Sequence, residues 1–311
     1  METLTGTVGS SLEWAGFLAL ILGLLAVDLR VFQRRGARPG LGEALLWSAA
    51  WTALALLFNL WTLLHYGRQI GLEFLAGYLV ERSLSFDNLL VFLVLFEYFA
   101  VPRGQQRRVL YWGIFGALLG RGLFIGIGTV ALGRWDWLLP LLGLFLIWTG
   151  ARVVRRDAAR LEPRRNPVVA LFQRFVPLTP GYRGRRFLVR EGGRTRATPL
   201  LLVLAVVEAT DIAFAVDSLP AIFGVSRHPF IIFSSNVFAV LGLRALYPLV
   251  EELLHRLRWL PHGLGLVLVF VGAKMLLGRW LAIPVEITLA AVVLLLGLAV
   301  AASLVLPAQR R

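Results

Sequence analysis

Two strings in the chain share one pattern. Glu81-Arg-Ser-Leu-Ser-Phe-Asp87-Asn88-Leu89 and Asp211-Ile-Ala-Phe-Ala-Val-Asp217-Ser218-Leu219 both read acid, five residues, acid, small polar residue, leucine, and Glu208 precedes the second string by about one helical turn. Both lie well inside long apolar runs. An acid near the centre of a helix in lipid costs about 2.5–3.5 kcal/mol, so five unpaired acids would cost about 12–18 kcal/mol. Carboxylates kept there must face a protein interior and be protonated, paired with cations or coordinated to an ion. The chemistry on offer is cation binding by oxygen donors.

Neutral oxygens accompany the acids: the hydroxyls of Ser85 and Ser218 and the amides of Asn88 and Asn236. At 3.6 residues per turn, Glu81, Ser85 and Asn88 fall on one stripe, with Asp87 about 120° from Glu81. Glu208, Asp211 and Ser218 form a second stripe, with Asp217 to its side. One straight helix cannot aim every acid at one ion. Two facing helices can, and Pro220 supplies a kink just past Asp217. Soft donors are scarce: there is no Cys, the only methionines are Met1 and Met275, and His65, His228, His255 and His262 fall in or near connections. This disfavours copper(I) and zinc and rules out disulfides and thiolate catalysis. Mn2+, Mg2+ and Ca2+ remain, and composition does not rank them.

Two arginines, Arg121 and Arg244, are also placed inside apolar runs. They are either structural salt-bridge partners of the acids or internal counter-ions that occupy the acids when no metal is bound. Lys274, the only Lys, either shares that role or snorkels to the interface.

The elements that must hold these groups are membrane-spanning helices. The chain has 311 residues, 58% of them hydrophobic and only 16% charged, against about 25% charged in soluble domains. Apolar runs near 11–31, 41–64, 72–99, 109–131, 135–153, 198–224, 229–250, 261–281 and 284–306 predict an all-α polytopic membrane protein of about nine transmembrane helices. Twenty-four arginines lie in alternate connections and at the C-terminus, and only four in the other connections. The positive-inside rule then puts the N-terminus outside and the C-terminus in the cytoplasm. With that asymmetry, the net charge of +14 points to the inner face of a membrane and not to nucleic acid. Trp residues such as Trp47, Trp51, Trp112, Trp135 and Trp137 read as an interfacial belt.

The repeat extends beyond the acid strings: Phe115-Gly-Ala-Leu-Leu-Gly-Arg121-Gly-Leu-Phe124 aligns with Phe238-Ala-Val-Leu-Gly-Leu-Arg244-Ala-Leu-Tyr247. The topology orients the two copies oppositely, which predicts an inverted structural repeat with an ion site near mid-membrane. Residues 1–68 hold the two N-terminal helices, 69–154 the first half, and 198–311 the second half with the C-terminal helix. Residues 155–197, rich in Arg and Pro, read as a solvated cytoplasmic linker with a stretch suited to an anionic lipid surface.

The two acid strings, together with Glu208-Ala-Thr-Asp211, Pro220-Ala221-Ile222 and Ser235-Asn236-Val-Phe-Ala-Val-Leu-Gly-Leu-Arg244, resemble the TerC family of integral membrane proteins over about residues 70–280. The resemblance implies a multi-pass protein of the bacterial cytoplasmic membrane linked to manganese efflux, in a family named for tellurium resistance. It carries the metal-site acids onto Glu81, Asp87, Glu208, Asp211 and Asp217, with Asn88, Ser218 and Asn236 as neutral partners.

The expected function is a secondary transporter exporting Mn2+, with protons as the counter-ion that buried carboxylates can take up, and with no permanently bound cofactor. No P-loop or nucleotide-binding module is present to power it. An accessory protein that aids insertion or metallation of exported proteins is the alternative. A membrane metalloenzyme is weaker, for want of a nucleophile motif.

Overall fold

A computed structural model describes residues 8–34, 40–135, 137–155, 167–191, 193–253, 257, 259–278, 281 and 283–305. Within these, the side chains at 28–34, 86, 87, 90, 167, 168, 170, 173, 217, 219, 244 and 251–253 lie outside the description, among them those of Asp87, Asp217 and Arg244.

The helices are α1 (Ser11–Arg34), α2 (Leu41–Tyr66), α3 (Arg68–Tyr98), α4 (Arg103–Arg134), α5 (Leu138–Arg155), the short α6 (Pro167–Phe175), α7 (Pro199–Val225), α8 (Pro229–Leu241), α9 (Leu243–Leu253), α10 (Leu260–Leu277) and α11 (Val285–Val305). Between α6 and α7 stand β1 (Leu188–Glu191) and β2 (Arg194–Ala197), an antiparallel hairpin pairing Leu188 with Ala197 and Glu191 with Arg194. Boundaries follow local chemistry. Gly67 takes φ 93°, a left-handed conformation that turns α2 into α3 with no linker. Pro199 and Pro229 open α7 and α8, where a missing N–H costs nothing.

Among the described residues, six helices are long and apolar enough to cross a membrane: α2, α4, α5, α7, α10 and α11. The N-terminal part of α1 and all of α8 are apolar but shorter. Of the nine expected spans, the one on α3 carries too many charges to qualify, because Glu73, Glu81, Arg82, Asp87 and Glu97 all lie on it. The chain is thus a mainly helical polytopic membrane protein. Large apolar side chains on α1, α2, α4, α5 and α11 face outward, as lipid contact requires, among them Leu22, Leu57, Leu123, Leu144 and Leu298. Trp51 departs from the interfacial belt and packs in a buried cluster with Phe17, Phe74, Phe230 and Phe238.

Helix α3 is central, packed by α2, α7, α8, α9 and α11. The closest helix pair is α5 with α10, and glycines set its distance. A Cβ on Gly150 would lie 2.5 Å from the Gly265 carbonyl oxygen, and one on Gly272 2.6 Å from that of Gly143. Both helices have 18 residues. Gly143-Leu-Phe-Leu-Ile-Trp-Thr-Gly150 matches Gly265-Leu-Val-Leu-Val-Phe-Val-Gly272, so each helix presents its own pair of glycines to the other.

Two expectations need correction. The span at 229–250 is broken into α8 and α9 at Gly242. Pro248 cannot donate to the carbonyl four residues earlier, and Arg82 Nη1 donates to the Ala239 carbonyl at 3.0 Å across the break. A Cβ on Gly242 would collide with that guanidinium. Second, residues 167–197 are not a solvated linker. Phe172, Leu178, Tyr182 and Phe187 pack on the core cluster holding Phe96, Val101 and Val203, and Tyr182 donates to the Phe99 carbonyl at 2.7 Å. The proline-containing stretch 156–166 lies outside the described residues.

Candidate ion-binding site

Glu81 on α3 is fully buried, and a carboxylate in that position must be answered by a donor. Arg121 on α4 supplies it: Nη1 donates to Glu81 Oε1, and Ser85 Oγ donates to the same oxygen at 3.4 Å. The guanidinium is itself buried and reaches two more helices. Nη2 lies 3.5 Å from Asp211 Oδ1 on α7, and Nη1 lies 3.4 Å from Asn236 Oδ1 on α8. Four helices therefore send one charged or amide group each to a single point. Among the described side chains, two carboxylates share one guanidinium there.

Hydrogen bonding is incomplete. Among the described residues, Glu81 Oε2, Arg121 Nε, Ser218 Oγ and Asn236 Nδ2 are buried without a partner. Unsatisfied buried groups are costly in a protein interior and mark a place prepared for another occupant or another arrangement. With Arg121 withdrawn, Glu81, Asp211, Asn236 and Ser85 would present oxygens from three helices, a donor set suited to a hard divalent cation.

The predicted residues do not all converge. Glu81, Asp211, Asn236 and Arg121 meet, and Asn88 and Ser218 are buried on the same two helices as the acids. Glu208 stands apart, pressed against α4 where only Gly116 leaves room for its carboxylate. It lines a small, partly open cleft with Gly120, Arg121, Phe124, Asp211 and Ile212. No group of three or more His, Asp or Glu side chains is close enough to hold a metal among the described residues. The side chains of Asp87, Asp217 and Arg244 lie outside that set.

Several polar residues escaped the sequence reading. Arg82 adjoins Glu81, yet its side chain serves the α8 break, and nothing in the local spacing distinguishes the two roles. Glu73 is buried and accepts from Ser226 Oγ at 2.7 Å and Gln69 Nε2 at 3.2 Å. Nothing in the sequence singled it out, because the apolar run begins at about residue 72, whereas α3 starts at Arg68.

A family model described as "Integral membrane protein TerC family" matches residues 66–311. The chain belongs to the TerC family. Relatives of this TerC protein extend over nearly the whole chain. It is 43% identical over 305 residues to an uncharacterized membrane protein, STKORF319, of Myxococcus xanthus, covering 98% of this chain and 95% of the relative. It is 41% identical over 295 residues to the protein of Escherichia coli (strain K12) named "Putative membrane-bound redox modulator Alx", covering 92% of each. A membrane protein of Rickettsia felis is 31% identical over 294 residues, covering 94% of this chain and 98% of the relative. No solved structure matches this TerC chain.

Proposed function

We propose that this TerC protein is a secondary transporter, not an enzyme, and that it exports a hard divalent cation, Mn2+ first, across the bacterial cytoplasmic membrane. The observation that carries the proposal is the shared guanidinium. Glu81 and Asp211, inside a lipid-embedded bundle, both pair with Arg121, the three residues lying on three different helices. A metal ion and Arg121 compete for the same oxygens, so loading and release need only a side-chain swing and small helix shifts. Glu208 in its cleft is suited to take the proton exchanged for metal, and Asp87, Asp217, Asn88 and Ser218 complete the proposed ligand field.

The topology of the proposal has nine spans, with α8 and α9 together forming the seventh, an outside N-terminus and an inverted repeat. Supporting it are the alternating arginines and the matched α5 and α10, which pack through equivalent glycines as the two halves of such a repeat would. The redox role in the E. coli relative's name fits through the cargo. Manganese changes oxidation state, whereas a chain without Cys offers no thiol–disulfide couple. The accessory reading has one observation in its favour, the exposed arginines Arg174, Arg183, Arg185, Arg186, Arg190 and Arg194 on the folded segment before α7.

The test is Mn2+ flux in liposomes containing only the purified protein, for wild type, Asp211→Asn, Asp87→Asn and Asp217→Asn. Asp211→Asn leaves Arg121 its Glu81 partner, so packing should hold while flux falls at least tenfold. If flux persists and stability drops by about 3–5 kcal/mol, as when a buried ion pair is broken, the acids are scaffold. A wild type that moves no metal leaves the accessory reading.

A further inference from the structure

The segment between α5 and α7 has one side that the bundle covers and one that it leaves open. On α6, Val169 and Phe172 turn to the core cluster, whereas Leu171 and Phe175, one helical turn apart, turn away from it and are 60% and 71% exposed. Packing on the bundle uses only the first pair. Leu188, at the start of β1, is exposed as well, on the strand face it shares with the exposed Arg190.

Helix α4 fixes the height at which this segment stands. Its first turns, Arg103-Gly-Gln-Gln-Arg-Arg108, are polar, and its apolar run begins at Val109. Phe187, just before β1, meets α4 on both sides of that boundary. The Arg108 guanidinium is 4.6 Å from its ring centroid, and the ring of the exposed Trp112 is 6.5 Å away, edge to face. The hairpin therefore leans on α4 where a spanning helix passes from headgroups into hydrocarbon, and does not hang in water below it. Charge completes the picture. Residues 167–197 carry seven arginines and one acid, Glu191, which accepts from Arg183 Nε at 2.9 Å. Arg174, Arg185, Arg186, Arg190 and Arg194 are exposed, and the Arg174 guanidinium is 5.9 Å from the Phe175 ring centroid, so cation and apolar surface stand side by side. A partner matched by charge alone would have no use for Leu171 and Phe175. A lipid answers both, with phosphate for the guanidinium groups and an acyl boundary for the apolar side chains.

We propose that α6 and the β1–β2 hairpin form a docking surface for anionic phospholipid, with Leu171 and Phe175 entering the boundary of headgroups and acyl chains and the neighbouring arginines binding headgroup phosphates. The surface is tied to the helices of the candidate site. Thr198, which caps the start of α7, donates from Oγ1 to the Arg186 carbonyl at 2.7 Å, and Tyr182 holds the Phe99 carbonyl at the end of α3. Lipid bound here steadies the adjoining ends of the two helices that carry Glu81 and Asp211. None of this depends on the transport reading.

Because the chain has no Cys, Leu171→Cys or Phe175→Cys takes a single environment-sensitive fluorophore. Both positions are exposed, so either label should leave the fold intact. The labelled full chain is placed in nanodiscs of phosphatidylcholine, with or without phosphatidylglycerol, and quenching by acrylamide in the water and by nitroxide-bearing lipid is read. With the anionic lipid, acrylamide quenching should fall at least threefold, nitroxide quenching should appear, and protease cleavage between α6 and α7 should slow severalfold. Combining Arg185→Gln, Arg186→Gln and Arg190→Gln should erase the difference between the two lipids while melting like wild type in detergent. Inorganic phosphate added to the neutral discs should not reproduce the shielding. Equal quenching in the two lipids, or shielding by inorganic phosphate alone, overturns recognition of anionic lipid. Labels open to acrylamide in both discs overturn the docking surface altogether and leave these residues to a protein partner, as in the accessory reading.

Discussion

Helices α5 and α10 carry the same spacing of glycines in helices of the same length, yet they end differently. Gly143 and Gly150 on one and Gly265 and Gly272 on the other bring the two backbones into contact, each glycine facing a carbonyl of its partner. Two residues past the second glycine, the first helix has Arg152 in the open over Trp148, and the second has Lys274 turned inward to Thr288. What the pair shares is what packing demands. They differ in their last turns, where one cation is exposed and the other is half-buried and hydrogen-bonded. The mid-bundle acids follow the same logic: Glu81 and Asp211 hold matching positions, but Glu81 is bound tightly by Arg121 whereas Asp211 sits at the edge of a cleft.

The most damaging way to break the shared part is Gly272→Leu. Its Cβ would meet the Gly143 carbonyl, and backbone cannot yield as a flexible side chain does. Overpacking of this kind costs about 1–3 kcal/mol or more, so the melting temperature in detergent should fall steeply. Gly126→Ala on α4, where a Cβ meets nothing within 4 Å, is the matched control and should be neutral or slightly stabilising. Equal melting of the two variants would mean that the glycine pairs do not set the helix contact.

Much of this was legible in the sequence because lipid imposes simple rules. A run of about 20 apolar residues is a helix, and an acid inside one is expensive. The helices fall where those runs do, and Glu81, Asp211, Asn236 and Arg121 meet as the repeated strings suggest. What was not legible depends on three-dimensional neighbours. The break at Gly242 is met by Arg82 from another helix, which donates to the Ala239 carbonyl, a contact that no local spacing announces. Glu73 is an interior residue only because α3 begins earlier than its apolar run and Ser226 arrives from α7. The segment before α7 has the composition of a linker, but Val169, Phe172, Leu178, Tyr182 and Phe187, spread among its arginines, dock it on the core. The glycine match between α5 and α10 was present in the sequence, but without the packing its spacing has no stated purpose.

The docked segment offers a smaller effect. Tyr182→Phe removes the hydrogen bond to the Phe99 carbonyl and should cost about 0.5–1.5 kcal/mol. Burial pushes the Tyr182 hydroxyl up to about 12 from the ordinary value of 10.0. The folded state then keeps a proton that the unfolded state releases, so this contribution is present in full below pH 10 and is lost as pH rises through about 12. Protease cleavage between α6 and α7, followed from pH 9 upward, should accelerate in wild type. The Phe variant should lack that component. Identical pH profiles would show that the tyrosine does not hold the segment in place.

The smallest expected effect sharpens the opening contrast most. Arg152→Gln and Lys274→Gln change equivalent positions in α5 and α10 by the same chemistry. Arg152 is exposed, and its contact with Trp148 is worth about 0.5–1 kcal/mol at most in such a setting. Its loss should leave Mn2+ export within twofold of wild type. Lys274→Gln can still hydrogen-bond Thr288 through its amide, so its stability should change as little, and the two variants should melt together. Replacement by Leu, which keeps the apolar stem and removes the hydrogen bond to Thr288, should cost about 0.5–1.5 kcal/mol at Lys274 and less at Arg152. If Arg152→Leu lowered the melting temperature as much as Lys274→Leu, the effect would come from removing a positive charge anywhere near the membrane surface. Inward placement of Lys274 would then carry no special meaning, and the asymmetry between the two helices would be a difference of packing alone.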